Sequence, residues 1–181
     1  MKLATACRSM KRATLHAWLL VAVVSTIGCD RVTKHVATTS LAGASAHSYL
    51  AGTLRLEYVE NTGAFLGLGA EWPDAVRTTL FTAGTGVVLL VLVGCALRFR
   101  WHGWRLIGVW LVFAGGASNW VDRVARGSVV DFMNVGVGPL RTGIFNVADV
   151  AIMVGVALLL LDVVHTSDSQ RASDGSGHVH S

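Results

Sequence analysis

Four stretches of the chain are apolar over lengths that few water-soluble elements reach. Residues 13–29, 78–97 and 106–121 carry no formal charge, and residues 144–161 carry only Asp149. The runs hold 17, 20, 16 and 18 residues. A bilayer core takes about 20 mostly apolar residues, so each run crosses once a few flanking residues are added. None shows the period-2 alternation of a membrane barrel strand, and backbone groups in hydrocarbon must bond within their own segment, so the pattern predicts helices. The expected fold class is an all-α membrane protein with four transmembrane helices. A different pattern breaks in at Thr53-Leu-Arg-Leu-Glu-Tyr-Val-Glu60, where apolar and polar positions alternate as in a half-buried strand. A small extracytoplasmic β-rich region over about residues 37–74 follows from it.

Composition supports this picture. Of 181 residues, 52% are hydrophobic and 14% charged, against about a quarter charged in soluble domains. A soluble enzyme is excluded, and the length suits one domain. The formal charge of +4 is matched by Lys2, Arg8, Lys11 and Arg12 alone, so it signals topology and no nucleic-acid partner. With Arg98, Arg100 and Arg105 between the second and third spans, the positive-inside rule puts both termini in the cytoplasm and the other two connections outside. Arg123, Arg126 and Arg141 in the last connection run against the rule and need their own explanation. The organisation expected is a basic cytoplasmic N-terminus (1–12), a membrane domain (13–165) and a Ser/Gly/His-rich disordered tail (166–181). Cys7, Cys29 and Cys95 form no CxxC pair, so neither a disulfide framework nor a thiolate zinc site is indicated. A cleaved lipoprotein signal ending at Cys29 is a rival reading of the N-terminus. It is disfavoured by Thr26, where a bulky aliphatic residue is preferred, and by three further spans that make a lipid anchor redundant.

The chemistry concentrates in polar residues that a membrane helix should not hold. A carboxylate at hydrocarbon depth costs about 2.5 to 3.5 kcal/mol on insertion scales. Asp122 and Asp131 follow the outer end of the third span, and Asp149 stands at the outer entry of the fourth. Asn119 and Asp122 are three apart, as are Asn146 and Asp149, so each pair shares a helix face and the two pairs flank one cleft. Asp131 lies between Val130 and Phe132, and Asp149 between Ala148 and Val150, surroundings that disfavour two adjacent negative charges. One proton shared by the pair is the expectation. A carboxylate that takes a proton from water beside a second that hydrogen-bonds the scissile carbonyl is the aspartic protease arrangement, which uses no metal or other cofactor. Neither G-x-S-x-G nor H-E-x-x-H occurs.

Plainer readings stand beside these. Asp122-Arg123 reads as a structural ion pair, and Asn119 and Asn146 as interhelical hydrogen-bonding groups. Asp131 reads as a solvated turn residue, and Asp149 as a helix N-terminal acid favoured by the macrodipole. Trp72, Trp101 and Trp104 suit interfacial anchors, and Gly115 and Gly116 close helix packing.

Five blocks in order resemble the lipoprotein signal peptidase (signal peptidase II) family of bacterial membrane aspartyl proteases. They are Asp30-Arg-Val-Thr-Lys34, Asn61-Thr-Gly63, Asn119-Trp-Val-Asp-Arg123, Gly127-Ser-Val-Val-Asp-Phe132 and Phe145-Asn-Val-Ala-Asp149. The resemblance implies that Asp131 and Asp149 are the catalytic dyad and that Asn119, Asp122, Arg123 and Asn146 orient it. Asp30, Lys34, Asn61 and Gly63 are implied as further positions near substrate. It implies cleavage of diacylglyceryl-modified prolipoproteins just before the lipidated cysteine, contact with membrane lipids, inhibition by globomycin-type peptides, and a site at the outer face of the bacterial cytoplasmic membrane. Two features depart from the family pattern. Phe65 directly follows Ala64, where two small residues usually precede an aromatic one, and the stretch 133–143 is glycine-rich where longer aromatic loops are common.

A proton- or cation-coupled transporter subunit using the same aspartates is the competing class, and a non-catalytic scaffold a third. Transport predicts polar residues along a whole helix face, yet residues 87–93 and 152–161 are almost entirely apolar.

Overall fold

The computed structural model describes the backbone of residues 2–63, 69, 71–99, 101 and 103–176, with side chains from 17 to 165 within that set except at 97. In chain order the elements are α1 (Lys2–Leu41), β1 (His47–Tyr49), β2 (Leu54–Asn61), α2 (Asp74–Arg77), a π-helical turn (Thr78–Gly84), α3 (Thr85–Phe99), α4 (Gly103–Arg126), β3 (Val129–Val137), β4 (Leu140–Arg141) and α5 (Val147–Ser176). The fold is thus mostly helical with a small antiparallel sheet, ordered β1-β2-β3-β4 among the described residues.

Among the described residues, two helical segments are long and apolar enough to cross a bilayer, Asp74–Ala96 and Val147–His165. Only 11% and 17% of their most apolar stretches are buried within the protein. The core helix of a soluble protein would be mostly covered; here lipid has to do the covering. The first and third expected spans fall on α1 and α4. The described side chains of α1 reach buried Asp30 before a bilayer's width is complete, and α4 interrupts its apolar run at Ser118, Asn119 and Asp122.

Small residues let α4 and α5 approach closely. A Cβ on Gly108 would lie 2.8 Å from the Gly155 carbonyl oxygen, and one on Gly155 would lie 2.6 Å from that of Gly108. One on Gly115 would collide with the Ala148 carbonyl, and one on Gly116 would lie 2.9 Å from Leu89 Cδ2. Gly115 and Gly116 are therefore packing residues. Where the hydrophobic effect is absent, such close backbone approach is the main attraction available to helices.

Several boundaries differ from the sequence expectation. α1 does not stop near Cys29 but runs on to Leu41, because Asp30 and Lys34, four apart, pair along one helix face at 2.7 Å; residues 37–41 are therefore helix and not part of the strand region. The glycine-rich stretch 133–143 forms the end of β3, a turn and β4. Arg141 supports that hairpin, donating from Nε to Asn134 Oδ1 and from Nη2 to the Asn134 carbonyl at 3.2 Å. At the C-terminus α5 continues through Ser176 into residues expected to lack regular structure, since an established helix adds each further residue at little cost and no proline stops it. Residues 177–181 and Phe65 lie outside the described residues.

The sheet rests on the end of α1 and the start of α5. Val130 and Phe132 pack with Ala37, and Leu41, Tyr58, Met133 and Val147 close around them. Alternation along a strand sends Val129 and Asp131 to the opposite face. A bulge in β2 lies opposite this point, since Leu56 pairs with Met133 but Val59 with Asp131; three steps on one strand meet two on the other.

Candidate active site

Asp131 and Asp149 arrive by different routes. Phe145 pairs with β3, its carbonyl accepting from Met133 N at 2.9 Å and its N–H donating to the Met133 carbonyl at 2.8 Å. The next residue, fully buried Asn146, caps α5. Its Oδ1 accepts from Asp149 N at 2.9 Å, and Asp149 Oδ2 accepts from Asn146 N at 3.2 Å. This reciprocal arrangement is a capping box, with asparagine and aspartate in the usual Ser/Thr and Glu/Gln places. Asp149 is therefore the helix N-terminal acid that its sequence position suggested, and it also reaches the site: its Oδ1 accepts from Asn119 Nδ2 at 2.9 Å.

Asp131 is buried on β3 and is not a turn residue. Asn61 Nδ2 donates to its Oδ2 at 2.8 Å, and Asn146 Nδ2 donates to its Oδ1 at 2.6 Å. Burial pushes the Asp131 carboxyl above the ordinary aspartate range, against those two hydrogen bonds and the Lys34 and Arg123 charges, which pull it down. Among the described residues no hydrogen bond runs directly between the two carboxylates. Asn146 touches both, and its Nδ2 also lies 3.3 Å from Asn119 Oδ1. The two side chains line one cavity of about 440 Å³ together with Asn61, Asn119, Arg123 and Asn146. Past these polar groups the cavity continues beside Ile152, Met153, Val156 and Leu160.

Behind the cavity is a second layer of charge. Lys34, 3% exposed, directs its ammonium to Asp30 Oδ2 at 2.7 Å, Asn119 Oδ1 at 2.8 Å and Asp122 Oδ2 at 2.8 Å. Three donors meet three acceptors, so the buried charge is fully satisfied. Because an ammonium can only donate, this contact fixes which end of the Asn119 amide faces Asp149. Asp30, fully buried, also accepts from Ser118 Oγ at 2.7 Å and from Ala148 N at 2.9 Å. A residue of α1 thus caps α5.

Asp122 does not pair with the adjacent Arg123. It pairs with Lys34 and with Arg31 Nη1, since neighbours on a helix point about 100° apart. It faces away from the cleft, so the two Asn/Asp pairs do not flank the cavity symmetrically. Arg123 turns to the segment after β2 and donates from Nη2 to the Gly63 carbonyl at 2.7 Å, while Gly63 N donates to Asn61 Oδ1 at 2.9 Å. Buried Arg123 Nε has no partner among the described residues. The arginines that ran against the positive-inside rule thus include two, Arg123 and Arg141, engaged in backbone hydrogen bonds.

All ten expected positions, Asp30, Lys34, Asn61, Gly63, Asn119, Asp122, Arg123, Asp131, Asn146 and Asp149, belong to this connected network. The sequence reading missed Arg31, Ser118 and Trp120. Arg31 and Ser118 each adjoin a quoted motif residue, but nothing local shows which way they point. Trp120 Nε1 donates to the Thr82 carbonyl at 2.8 Å, and a Cβ on Gly86 would lie 3.1 Å from the same nitrogen. The π-helical turn is thereby held to α4 beside Asn119, with Phe81 and Thr85 placed in the cavity wall.

Known proteins agree with this architecture. The chain is 35% identical over 152 residues to the lipoprotein signal peptidase of Sphingopyxis alaskensis, covering 83% of this chain and 87% of that one. It is 34% identical over 148 residues to that of Symbiobacterium thermophilum, covering 81% and 93%. A bacterial membrane enzyme solved by the in meso method at 1.9 Å superposes with a TM-score of 0.72 at 25% identity, covering 81% of this chain and 92% of that one. Residues 21–165 match the family described as signal peptidase (SPase) II, and with the family's length of chain and fold both present, this protein belongs to the signal peptidase II family.

Proposed function

We propose that this membrane peptidase removes the signal peptide from diacylglyceryl-modified prolipoproteins, cutting before the lipidated cysteine, with Asp131 and Asp149 as its acid/base pair. The observation that carries the assignment is the convergence of these carboxyls on one cavity, where four amide and guanidinium side chains surround them. One carboxylate takes a proton from water as the water attacks the scissile carbonyl, while the other, protonated, donates to the carbonyl oxygen; the first then delivers a proton to the leaving nitrogen. Raised proton affinity at Asp131 favours a singly protonated pair. Asn119 and Asn146 hold the carboxyls in position. Arg123, whose side chain lines the cavity, brings positive charge to the carboxyl pair and ties the Gly63 carbonyl beside it.

The apolar continuation beside Ile152, Met153, Val156 and Leu160 gives an acyl chain or hydrophobic signal segment a path from lipid to the acids. Four spans, both termini in the cytoplasm and a site at the outer face of the bacterial cytoplasmic membrane complete the proposal. It is supported by the basic residues at 2–12 and 98–105 and by the site lying at the α5 N-terminus, the end opposite the Arg105–Asp162 pair. A globomycin-type peptide would occupy the same cavity. The transporter reading has no comparable support, because polar lining ends at the level of Asp149.

Cleavage of a lipidated prolipoprotein by purified protein in detergent tests the assignment. Asp131→Asn and Asp149→Asn should each lose processing in protein that stays folded; processing at the wild-type rate by either variant ends the proposal.

A further inference from the structure

The sheet has a second end, away from the acids, where apolar side chains are largely uncovered among the described residues. β1 leads into β2 through Leu50–Gly52, and β3 leads into β4 through Gly138 and Pro139. Leu54 pairs with Val135, and Gly136 N donates to the Thr53 carbonyl at 2.9 Å, so both turns lie at one end of the sheet. There Leu140 is 83% exposed, Leu50 75% and Val137 75%.

The Leu50 turn is also strained. Leu50 and Ala51 have φ of 51° and 53° and are followed by Gly52 at 88°. A left-handed backbone is uncommon at leucine, because Cβ crowds the following carbonyl oxygen. The turn thus pushes a leucine outward in a conformation that leucine avoids, and such a feature persists only where its surroundings enforce it. Arg141 supplies that enforcement, donating from Nη1 to the Gly52 carbonyl at 2.8 Å and from Nη2 to the Thr53 carbonyl at 3.4 Å, so that one guanidinium ties the two turns together.

The surrounding chemistry selects the occupant. Residues 47–54 and 135–142 contain no acid; they contain His47 and Arg141, with half-exposed Tyr49 at the edge. Protruding aliphatic groups with an aromatic and basic residues beside them form the composition of a surface that enters the headgroup and acyl boundary. A protein partner would leave the absence of acids without a role, whereas an anionic lipid surface uses it. The same strands are held to the membrane helices at their other end, where Leu41 of α1 and Val147 of α5 pack beside Val130 and Phe132 at the start of an apolar helix long enough to cross a bilayer.

We infer that Leu50, Val137 and Leu140 form a lipid-inserting edge that holds the sheet on the membrane surface. The inference depends on the membrane location and not on the cleavage proposal, and its test reads depth without reading activity. Nitroxide labels are placed by Leu50→Cys, Val137→Cys and Leu140→Cys, one at a time, in the full chain carrying Cys7→Ser, Cys29→Ser and Cys95→Ser. The protein is reconstituted in nanodiscs of phosphatidylethanolamine and phosphatidylglycerol. Collision with oxygen is compared with collision with a water-soluble nickel chelate. A label at Leu90→Cys, 75% exposed on α3, provides the lipid reference, and one at Glu60→Cys, at the other end of β2, the aqueous one. The oxygen-to-nickel ratio at 50, 137 and 140 should exceed that at 60 by about threefold or more, as expected for side chains below the headgroups. A water-like ratio at Leu50 or Leu140 overturns the inference. So does shielding from both reagents there, which would mean that a second copy or another protein covers the edge. Should one variant fail to fold, the remaining two positions decide.

Discussion

At one end of the α4–α5 pair, Asn119 and Asp149 meet through a directed hydrogen bond within a network that recruits Lys34 and Asp30 from α1. Further along, Gly108 and Gly155 meet backbone to backbone with no polar contact between them. The first end fixes orientation, because a hydrogen bond fails when an amide is turned around. The second fixes only distance, because van der Waals contact depends on fit and little on direction. The two carboxyls therefore sit where geometry is specified atom by atom, and the rest of the bundle has to bring the helices close.

Variants can break this contrast at either end. The largest effect on stability is expected from Lys34→Met, which leaves buried Asp30 and Asp122 without their shared cation. Removing one partner of a buried charge pair typically costs about 3 to 5 kcal/mol. Unfolding measured in mixed micelles should show that loss, and the fraction still folded should process substrate poorly, since Asn119 is no longer oriented; a near-normal midpoint and rate would mean that the network does not position the amide. Gly155→Ala comes next, at about 1 to 3 kcal/mol for forcing a methyl into a filled space. Here folded protein should keep its kcat, because the contact sets distance only. A kcat loss as severe as that of Lys34→Met would erase the distinction between the two ends.

A smaller effect is expected with pH. Asp131 binds its proton more tightly folded than unfolded, so its contribution to stability is fully present below the ordinary carboxylate value of 3.8 and is lost as pH rises through the higher folded value. Relative to Asp131→Asn, the wild type should gain stability on acidification toward that value; a difference that is flat or of opposite sign would contradict the burial effect. Least affected should be Arg105→Gln. Its pair with Asp162, at 2.5 Å, has both side chains partly exposed, and such pairs contribute about 1 kcal/mol or less. Unfolding at low and high salt would measure it.

How much of this was readable in advance depends on how far apart the partners lie. The β2 alternation, the carboxylates at the ends of apolar runs and the packing glycines are local signals, and each reappears in the fold. Asn146-x-x-Asp149 was legible as a pair sharing one face, although its capping box was overlooked. The β3–β4 hairpin escaped because its glycines resemble those of a loop, and it is pairing with β2 and the Arg141 bonds that give it regular structure. Asp122 was assigned the wrong arginine because adjacency in sequence is not adjacency on a helix.

The sequence by itself determined a membrane protein with apolar helices, an acid at the head of the last one and another in the connection that precedes it. Hydropathy and short-range spacing act on residues within a few turns of each other, and one string of residues carries them in full. Only the tertiary structure decided that Asp30 caps a helix that begins more than a hundred residues later, that Lys34 sets the direction of the Asn119 amide, and that Asn146 joins the two carboxyls. Those bonds require α1, α4, β3 and α5 to be packed already, and the free energy that selects their partners is gained only on closing that distance.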